Sequence, residues 1–169
     1  MSTAVQNVQE DRDNILKFED ALAQMPQLEQ DVHHHFAPGV YARELRLAKG
    51  TLLTGKIHKT EHLNIISAGR IAVVWPGGKK VIAAPHIMVS KPGVKRVGFA
   101  LEDTVWITIH VTEETDLEII EDQVIAKNFE EVDALLAHDE KTLLESDNID
   151  EIGRSKPCVG DTLLLVERQ

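Results

Sequence analysis

Two histidines at the ends of neighbouring predicted strands give this chain its clearest potential for chemistry. In the segment 50–69, His58 ends a strand predicted over 51–58, and His62 opens the next strand after a short turn. An antiparallel hairpin at this point brings the two imidazoles close together. Imidazole nitrogen is a ligand for zinc, iron, manganese and nickel. The spacing therefore predicts part of a divalent-metal site, which two histidines alone do not complete.

Short strands must position these side chains. From residue 40 to about 120 the sequence consists of runs rich in Val, Ile, Leu and Thr that are separated by glycine, proline and acidic turns. The predicted strands cover 42–48, 51–58, 62–67, 70–75, 79–84, 87–90, 94–100 and 104–112. Many short strands at even spacing favour an all-β barrel or sandwich. Eight strands would fill two four-stranded sheets.

Helices are predicted on both sides of the strands. Apolar residues at steps of three and four predict a helix over 11–25. Asn128 and Glu131 form a capping pattern that predicts the start of a second helix, over 129–144. The region 27–39 between the first helix and the strands is predicted as a loop, so its contiguous histidines, 33–35, are interpreted as a surface run. The resulting organisation is 1–39, helix and loop; 40–122, barrel; and 123–169, helix and tail.

The tail of the chain leaves several alternatives open. The segment 159–166 has the composition of a strand, and either adds an edge strand, pairs with a neighbouring subunit or remains loose. The single cysteine, Cys158, cannot form an internal disulfide, which fits a reducing compartment.

Composition and charge limit the kinds of molecule that this chain is expected to bind. Apolar residues make up 43% of the chain and charged residues 27%, which is typical of a globular protein. Acidic residues outnumber basic residues by 28 to 18, and the net charge of −10 opposes binding to nucleic acid or to an anionic membrane. The N-terminal sequence has neither the basic nor the apolar part of a signal peptide. We therefore expect a cytoplasmic protein.

The segment 50–69 resembles the first sequence motif of the cupin superfamily. That motif reads Gly, five residues, His-x-His, three or four residues, Glu, six residues, Gly. In this chain Gly50, Lys56, His58, His62 and Gly69 stand at the corresponding positions, with every interval kept. Lys56 replaces the first histidine and His62 replaces the glutamate. The resemblance implies a double-stranded β-barrel of the jelly-roll type with a metal site inside it.

The second cupin motif is represented only by its turn. Pro92 and Gly93 supply a similar turn, but Arg96 stands where the resemblance implies a histidine. His110 is predicted as the third ligand, because the last strand of an eight-stranded barrel can line the same cavity as His58 and His62. Three imidazoles would leave open positions on a divalent transition metal, either zinc, iron, manganese or nickel.

Two cations and two aromatic residues are predicted around this site. Lys56 shares a strand face with His58, and Arg96 takes a ligand position, so both are expected at the barrel mouth. An inward cation is costly without a partner. These two side chains therefore either bind a small anionic ligand or pair with Glu44 or another acid of the barrel wall. Tyr41 and Trp106 are expected to line the pocket.

The run 36–121 also resembles small cupin-like proteins encoded by tailed bacteriophages and their prophages. The resemblance implies a viral or bacterial origin and a location in the host cytoplasm or the virion. The role of that family is unassigned, so the resemblance implies no particular reaction. One hypothesis is a present or former metal-dependent cupin that binds a small polar or anionic ligand. The alternative is a noncatalytic assembly module, such as a phage particle component or accessory binding protein, whose histidines are structural. We also expect a homo-oligomer, a dimer, because an apolar tail strand leaves an exposed edge.

Overall fold

Two antiparallel sheets enclose the core of the chain, of which a computed structural model describes residues 3–147, with side chains over 7–139. Elements are numbered in chain order. The first sheet has five strands in the order β1-β2-β10-β5-β8. Their bounds are β1 Asp31–Ala37, β2 Val40–Leu47, β10 Thr104–Val111, β5 His62–Ala68 and β8 His86–Ser90.

The second sheet has four strands in the order β3-β9-β6-β7, and a separate ribbon pairs two short strands. The sheet consists of β3 Leu52–Thr54, β9 Val97–Ala100, β6 Arg70–Trp75 and β7 Gly78–Ala83; the ribbon pairs β4 Ile57–His58 with β11 Ile125–Ala126. All of these pairings are antiparallel. Together with the strand order, they confirm the predicted cupin-type, jelly-roll β-barrel.

Among residues 3–147, three helices accompany the barrel: α1 Thr3–Ala23, α2 Leu117–Val124 and α3 Phe129–Asp147. Helices α1 and α3 confirm the predicted helices, although both are longer than predicted. The predicted cap of α3 is present, because Glu131 N donates to Asn128 Oδ1 at 2.9 Å and Lys127 N donates to Glu131 Oε2 at 2.8 Å. Within the described residues, no helix has both the length and the apolar character needed to cross a membrane.

Inward-facing residues from both sheets form the barrel core. They are the buried Leu45, Leu47, Ile66, Ile71, Val73, Ile82 and Ala100. Two smaller clusters attach the flanking elements. In the first, Phe129 and Val132 of α3 pack with Ile57 and Ala126, the ribbon residues that face away from the barrel cavity. In the second, Ile120 and Val124 of α2 pack against Tyr41.

Helix α1 is anchored to the barrel by ionic contacts as well as by the buried Ile15. The ammonium of Lys95, a residue only 5% exposed, donates to Glu19 Oε1 of α1 at 2.7 Å and to the carbonyl of Gly55 at 2.8 Å. Arg12 forms a bidentate pair with Asp133 of α3. The Lys95 contact ties α1 to the junction between β3 and β4, which carries one wall of the barrel interior.

Three predictions about strands and loops are wrong. The region 27–39 is not a loop throughout, because β1 pairs with β2 along its whole length. The predicted strand 51–58 divides at Gly55, since β3 pairs with β9 whereas β4 pairs with β11. Eight strands in two equal sheets were expected, and the described residues contain five and four strands plus the ribbon.

Helix α2 was not predicted, because the sequence analysis placed residues 117–122 at the end of the barrel and predicted no helix before residue 129. Asp116 caps this helix by accepting bonds from the main-chain N–H of Glu118 and Ile119. The chain divides into two units, Met1–Leu135 and Leu136–Gln169, with both sheets in the first. The domain boundaries proposed from the sequence stay predictions, and Cys158 and the segment 159–166 lie outside the described residues.

Gly69 turns the chain from β5 in one sheet to β6 in the other, and the first prediction concerns this residue. Its φ is +78°, and a Cβ atom there would lie 2.0 Å from the carbonyl oxygen of Asp103. We expect Gly69→Ala to lower the free energy of unfolding by about 2–5 kcal/mol, through left-handed strain and the clash. Gly50→Ala is the matched control, because Gly50 has a φ of +87° but open space around it. Urea unfolding should show a larger decrease in the free energy of unfolding for Gly69→Ala than for Gly50→Ala. Equal decreases in the two variants would contradict the prediction.

Candidate metal centre

Three histidines converge inside the barrel. His58 lies on β4, His62 on β5 and His110 on β10, and one ring nitrogen of each lies within 4.8 Å of the others. The ring centroids are 4.0 Å apart for His58 and His62, and 5.0 Å apart for each of the other two pairs. The structure therefore brings together the three residues that the sequence predicted as ligands.

Strand alternation explains this convergence. On β5 the buried residues are His62, Asn64 and Ile66, and on β10 the buried His110 follows the inward Trp106 and Thr108 at steps of two. His58 reaches the same space from the short ribbon strand β4, whose other residue, Ile57, packs against α3. A tetrahedral ion with ~2.0–2.1 Å bonds needs nitrogens about 3.4 Å apart, so small side-chain rotations would complete such a site.

The hydrogen bonds of the three rings are incomplete. Nδ1 of His58 and Nδ1 of His110 are buried and have no hydrogen-bond partner among the described residues. His62 Nδ1 donates to the carbonyl oxygen of Thr60 at 2.9 Å, which leaves the lone pair on its Nε2. A carbonyl that fixes the tautomer of a histidine in this way is the usual support of a metal ligand.

All three imidazoles are held in the neutral, ligating form. Burial lowers the pKa of His58 to about 2, with further contributions from the neighbouring His62 and His110. Burial, followed by the proximity of His62, lowers the pKa of His110 to about 4. Burial also lowers the pKa of His62, against the opposing effect of its bond to Thr60. Metal binding at neutral pH would therefore not have to displace a proton from any of the three rings.

The histidines face a cavity of about 460 Å³. Its polar wall includes Asn64, whose Oδ1 accepts bonds from Trp106 Nε1 at 2.7 Å and from Thr108 Oγ1 at 3.1 Å. Its apolar wall is formed by Leu45, Leu53, Val94, Ile120 and Val124. The cavity thus combines a donor cluster with a mixed surface that suits a small organic ligand.

Two arginines line this cavity without an acidic partner among the described residues. Arg96 is half-buried, and its burial lowers its pKa. Arg43 Nη2 donates to the neutral Oε1 of Gln30 at 3.1 Å. Lys56 differs, because it is exposed and pairs with the carboxylate of Glu121 on α2. Glu44, the acid expected as a partner of Lys56 and Arg96, instead pairs with Arg46 and His35.

The two predicted aromatic residues both line the cavity. Tyr41 is only 5% exposed, and its ring is nearly parallel to that of His110 at a centroid distance of 6.4 Å. Its hydroxyl is hydrogen-bonded to Nδ1 of His34 at 2.8 Å. Burial raises the pKa of Tyr41, so its hydroxyl keeps its proton at neutral pH.

Several residues of the cavity wall were missed from the sequence, namely His34, Arg43, Asn64 and Glu121. Strand alternation after His62 would have placed Asn64 inside. His34 was assigned to a loop, and its inward position requires β1, which pairs it with Arg43. His33 and His35 are exposed, in agreement with the surface run expected there, and His86 lies outside the cluster.

The fold and the site together define a cupin-type β-barrel with a three-histidine cluster. No protein-family model matches the sequence, and no curated protein matches it. Among solved structures, a cupin superfamily protein from Desulfitobacterium hafniense is 10% identical, with a TM-score of 0.43 over 54% of this chain and 84% of its own. An RmlC-like cupin family protein with a double-stranded β-helix fold from Methanocaldococcus jannaschii is 12% identical, with a TM-score of 0.43 over 53% and 86%.

A salicylate 1,2-dioxygenase from Pseudaminobacter salicylatoxidans is 13% identical, with a TM-score of 0.47. The alignment covers 69% of this chain and 35% of the dioxygenase chain, so this chain spans about a third of that enzyme's length. Identities this low carry no information about activity, so the function has to be inferred from the site itself. The relationship to phage proteins stays a prediction from the sequence.

The second prediction concerns pH. In the metal-free protein, histidines of the unfolded chain take up protons near pH 6.5, whereas folded His58 and His110 resist protonation down to about 2 and 4. The free energy of unfolding should therefore fall as the pH decreases below 6.5, by about 1.4 kcal/mol per pH unit for each such histidine. Urea unfolding between pH 6 and 5 should show a shallower slope in His58→Asn than in the wild type. The same substitution at the exposed His33 is the control; identical slopes in His58→Asn and the wild type would contradict the prediction.

Proposed function

We propose that this protein binds a divalent transition metal through His58, His62 and His110 and holds a small anionic ligand beside it. The observation that carries the proposal is the convergence of three buried imidazoles on one cavity. Zinc, iron, manganese and nickel all accept imidazole nitrogen, so the donor set fits this group of ions without selecting one.

The hydrogen-bond state of the rings supports a metal over purely structural histidines. A structural histidine in a protein interior is normally hydrogen-bonded, and an unsatisfied buried donor or acceptor costs about 1–3 kcal/mol. Only His62 has such a partner among the three, since Nδ1 is unsatisfied in both His58 and His110. Coordination is a way to satisfy ring nitrogens that the described residues leave without a partner.

The charge of the site supports an anionic ligand. Three neutral imidazoles leave the double charge of the ion uncompensated, and the cluster contains no carboxylate. Arg96 and Arg43 add positive charge to the same cavity and form no ion pair among the described residues, since Glu121 of the cavity wall pairs with Lys56. A carboxylate or phosphate group would neutralise both the ion and a guanidinium, and Arg96 can orient it by paired hydrogen bonds.

The chain supplies orientation and a proton-bearing group in this arrangement. A metal with open positions acts as a Lewis acid toward a bound ligand. Trp106 and Thr108 hold Asn64 on the cavity wall, and Tyr41 presents its ring beside His110. The hydroxyl of Tyr41 is linked to His34, an exposed residue, which connects the buried wall to solvent.

The third prediction tests the metal. Isothermal titration of the chelator-treated protein with zinc should give one bound ion per chain. We expect His58→Ala to weaken zinc binding at least ~100-fold, because the site loses one of its three nitrogen donors. His33→Ala is the matched control, since this imidazole lies on the barrel surface and pairs with Asp31. Equal zinc affinity in His58→Ala and the wild type would rule out the proposed centre.

The fourth prediction tests the anion. Phosphate added to the cobalt-loaded protein should change the visible absorption spectrum of the ion, and Arg96→Gln should weaken this response ~10-fold or more, as expected for a lost charge-assisted hydrogen bond. Arg46→Gln is the control, because Arg46 pairs with Glu44 outside the cavity. If cobalt binds but phosphate acts equally on Arg96→Gln and the wild type, the role of Arg96 is refuted while the metal centre stands.

A further inference from the structure

The uncharged polar side chains that line the cavity already make hydrogen bonds within the chain. Apart from the histidines, the described residues of this kind are Gln30, Tyr41, Thr54, Asn64, Trp106 and Thr108. Each of them is hydrogen-bonded to another side chain of the protein. A sugar or another polyol would have to replace several of these bonds in order to be held by the wall, and a buried polar group that loses its partner is costly. The wall therefore does not favour a neutral polyol.

Two guanidiniums are the side-chain groups of the wall that are free to hold a ligand. Arg96 and Arg43 line the cavity and form no ion pair among the described residues, whereas Lys56 pairs with Glu121. The only side-chain hydrogen bond of Arg43 within the described residues is to the neutral amide of Gln30. A guanidinium binds a carboxylate through two parallel hydrogen bonds. The binding capacity that the wall has left is therefore suited to acids.

The two guanidiniums belong to opposite walls of the cavity. Arg43 lies on β2 of the five-stranded sheet, two residues along the strand from Tyr41, which is paired with His110. Arg96 immediately precedes β9 of the four-stranded sheet, and its carbonyl oxygen accepts a bond from Gly55 N at 2.8 Å. Two residues of a strand span ~7 Å, so Arg43 enters the cavity one side-chain row away from the metal centre. This placement suits two acidic groups at different points of one ligand.

Charge also favours two acidic groups. When an ion is bound, the ion and the two guanidiniums bring four positive charges into the cavity, and the histidine cluster contains no carboxylate. A single carboxylate compensates one of these charges, and a second carboxylate compensates another in a partly desolvated space where unpaired charge is costly. The aliphatic side chains of Leu45, Leu53 and Val94 on the same wall can cover the methylene groups that join the two acids.

We propose that the ligand of this cavity is a small dicarboxylate, with one carboxylate at the metal and Arg96 and the other at Arg43. The inference rests on the proposed metal and anion site. It adds the class of ligand and assigns Arg43 as the residue that distinguishes a dicarboxylate from a monocarboxylate, because a site built to bind a polar group discriminates against an analogue that lacks it.

Straight-chain dicarboxylates from malonate to adipate, each compared with the monocarboxylate of the same carbon number, test the proposal by calorimetric titration of the cobalt-loaded protein. The dicarboxylate that fits best should bind at least ~10-fold more tightly than its matched monocarboxylate, because its second carboxylate gains charge-assisted hydrogen bonds. Arg43→Gln should abolish this preference and leave the affinity for the monocarboxylate unchanged. Arg46→Gln is the matched control, since Arg46 lies on the same strand, pairs with Glu44 outside the cavity and should not affect the preference.

The proposal is overturned if no dicarboxylate binds more tightly than its matched monocarboxylate, a comparison that needs only the wild type. It is equally overturned if folded Arg43→Gln keeps the preference. Cooperative urea unfolding and retained cobalt binding will show that this variant is folded, and Arg43→Met replaces it if it is not. Both outcomes leave the metal centre standing. A protein that binds no cobalt would refute the metal centre instead, and the same titrations of the metal-free protein would still decide whether the two arginines favour the dicarboxylate.

Discussion

The alternation of side chains along β5 and β10 is the constraint on which the rest of the structure depends. Successive residues of a strand face opposite sides of its sheet, so a shift of one position would exchange the two faces completely. In the observed register, His62 and His110 face the interior while their neighbours Leu63 and Ile109 face outward. The same alternation therefore builds the candidate metal centre on one side of the sheet and an apolar outer face on the other.

Desolvation determines the protonation state of the histidines in the barrel interior. The three imidazoles are packed so closely and buried so well that protonation of any of them is unfavourable, and their pKa values fall. Such a cluster is expensive to maintain for packing alone, because aliphatic residues would fill the same space without unsatisfied nitrogens. Arg96 supports the proposed anionic ligand for a related reason, because a half-buried guanidinium that forms no ion pair among the described residues would be stabilised by a bound anion.

Local patterns made much of this predictable. The intervals from Gly50 to Gly69 indicated a hairpin that brings His58 and His62 together, and strand parity put His110 and Trp106 on one face. Nonlocal contacts account for what was missed. Strand β1 is stabilised by main-chain pairing with β2 while most of its side chains stay exposed, so it lacks an apolar pattern. Lys56 pairs with Glu121 only because the unpredicted α2 lies at the cavity mouth.

X-ray absorption at the zinc edge of the zinc-loaded protein tests the central claim most directly, because it reports the atoms bound to the ion. The expected result is three imidazole nitrogens at ~2.0–2.1 Å from the zinc ion, with oxygen from water or an added anion completing its coordination. A zinc ion surrounded by oxygen alone, or by fewer than three imidazoles, would contradict the assignment of His58, His62 and His110 as one metal centre.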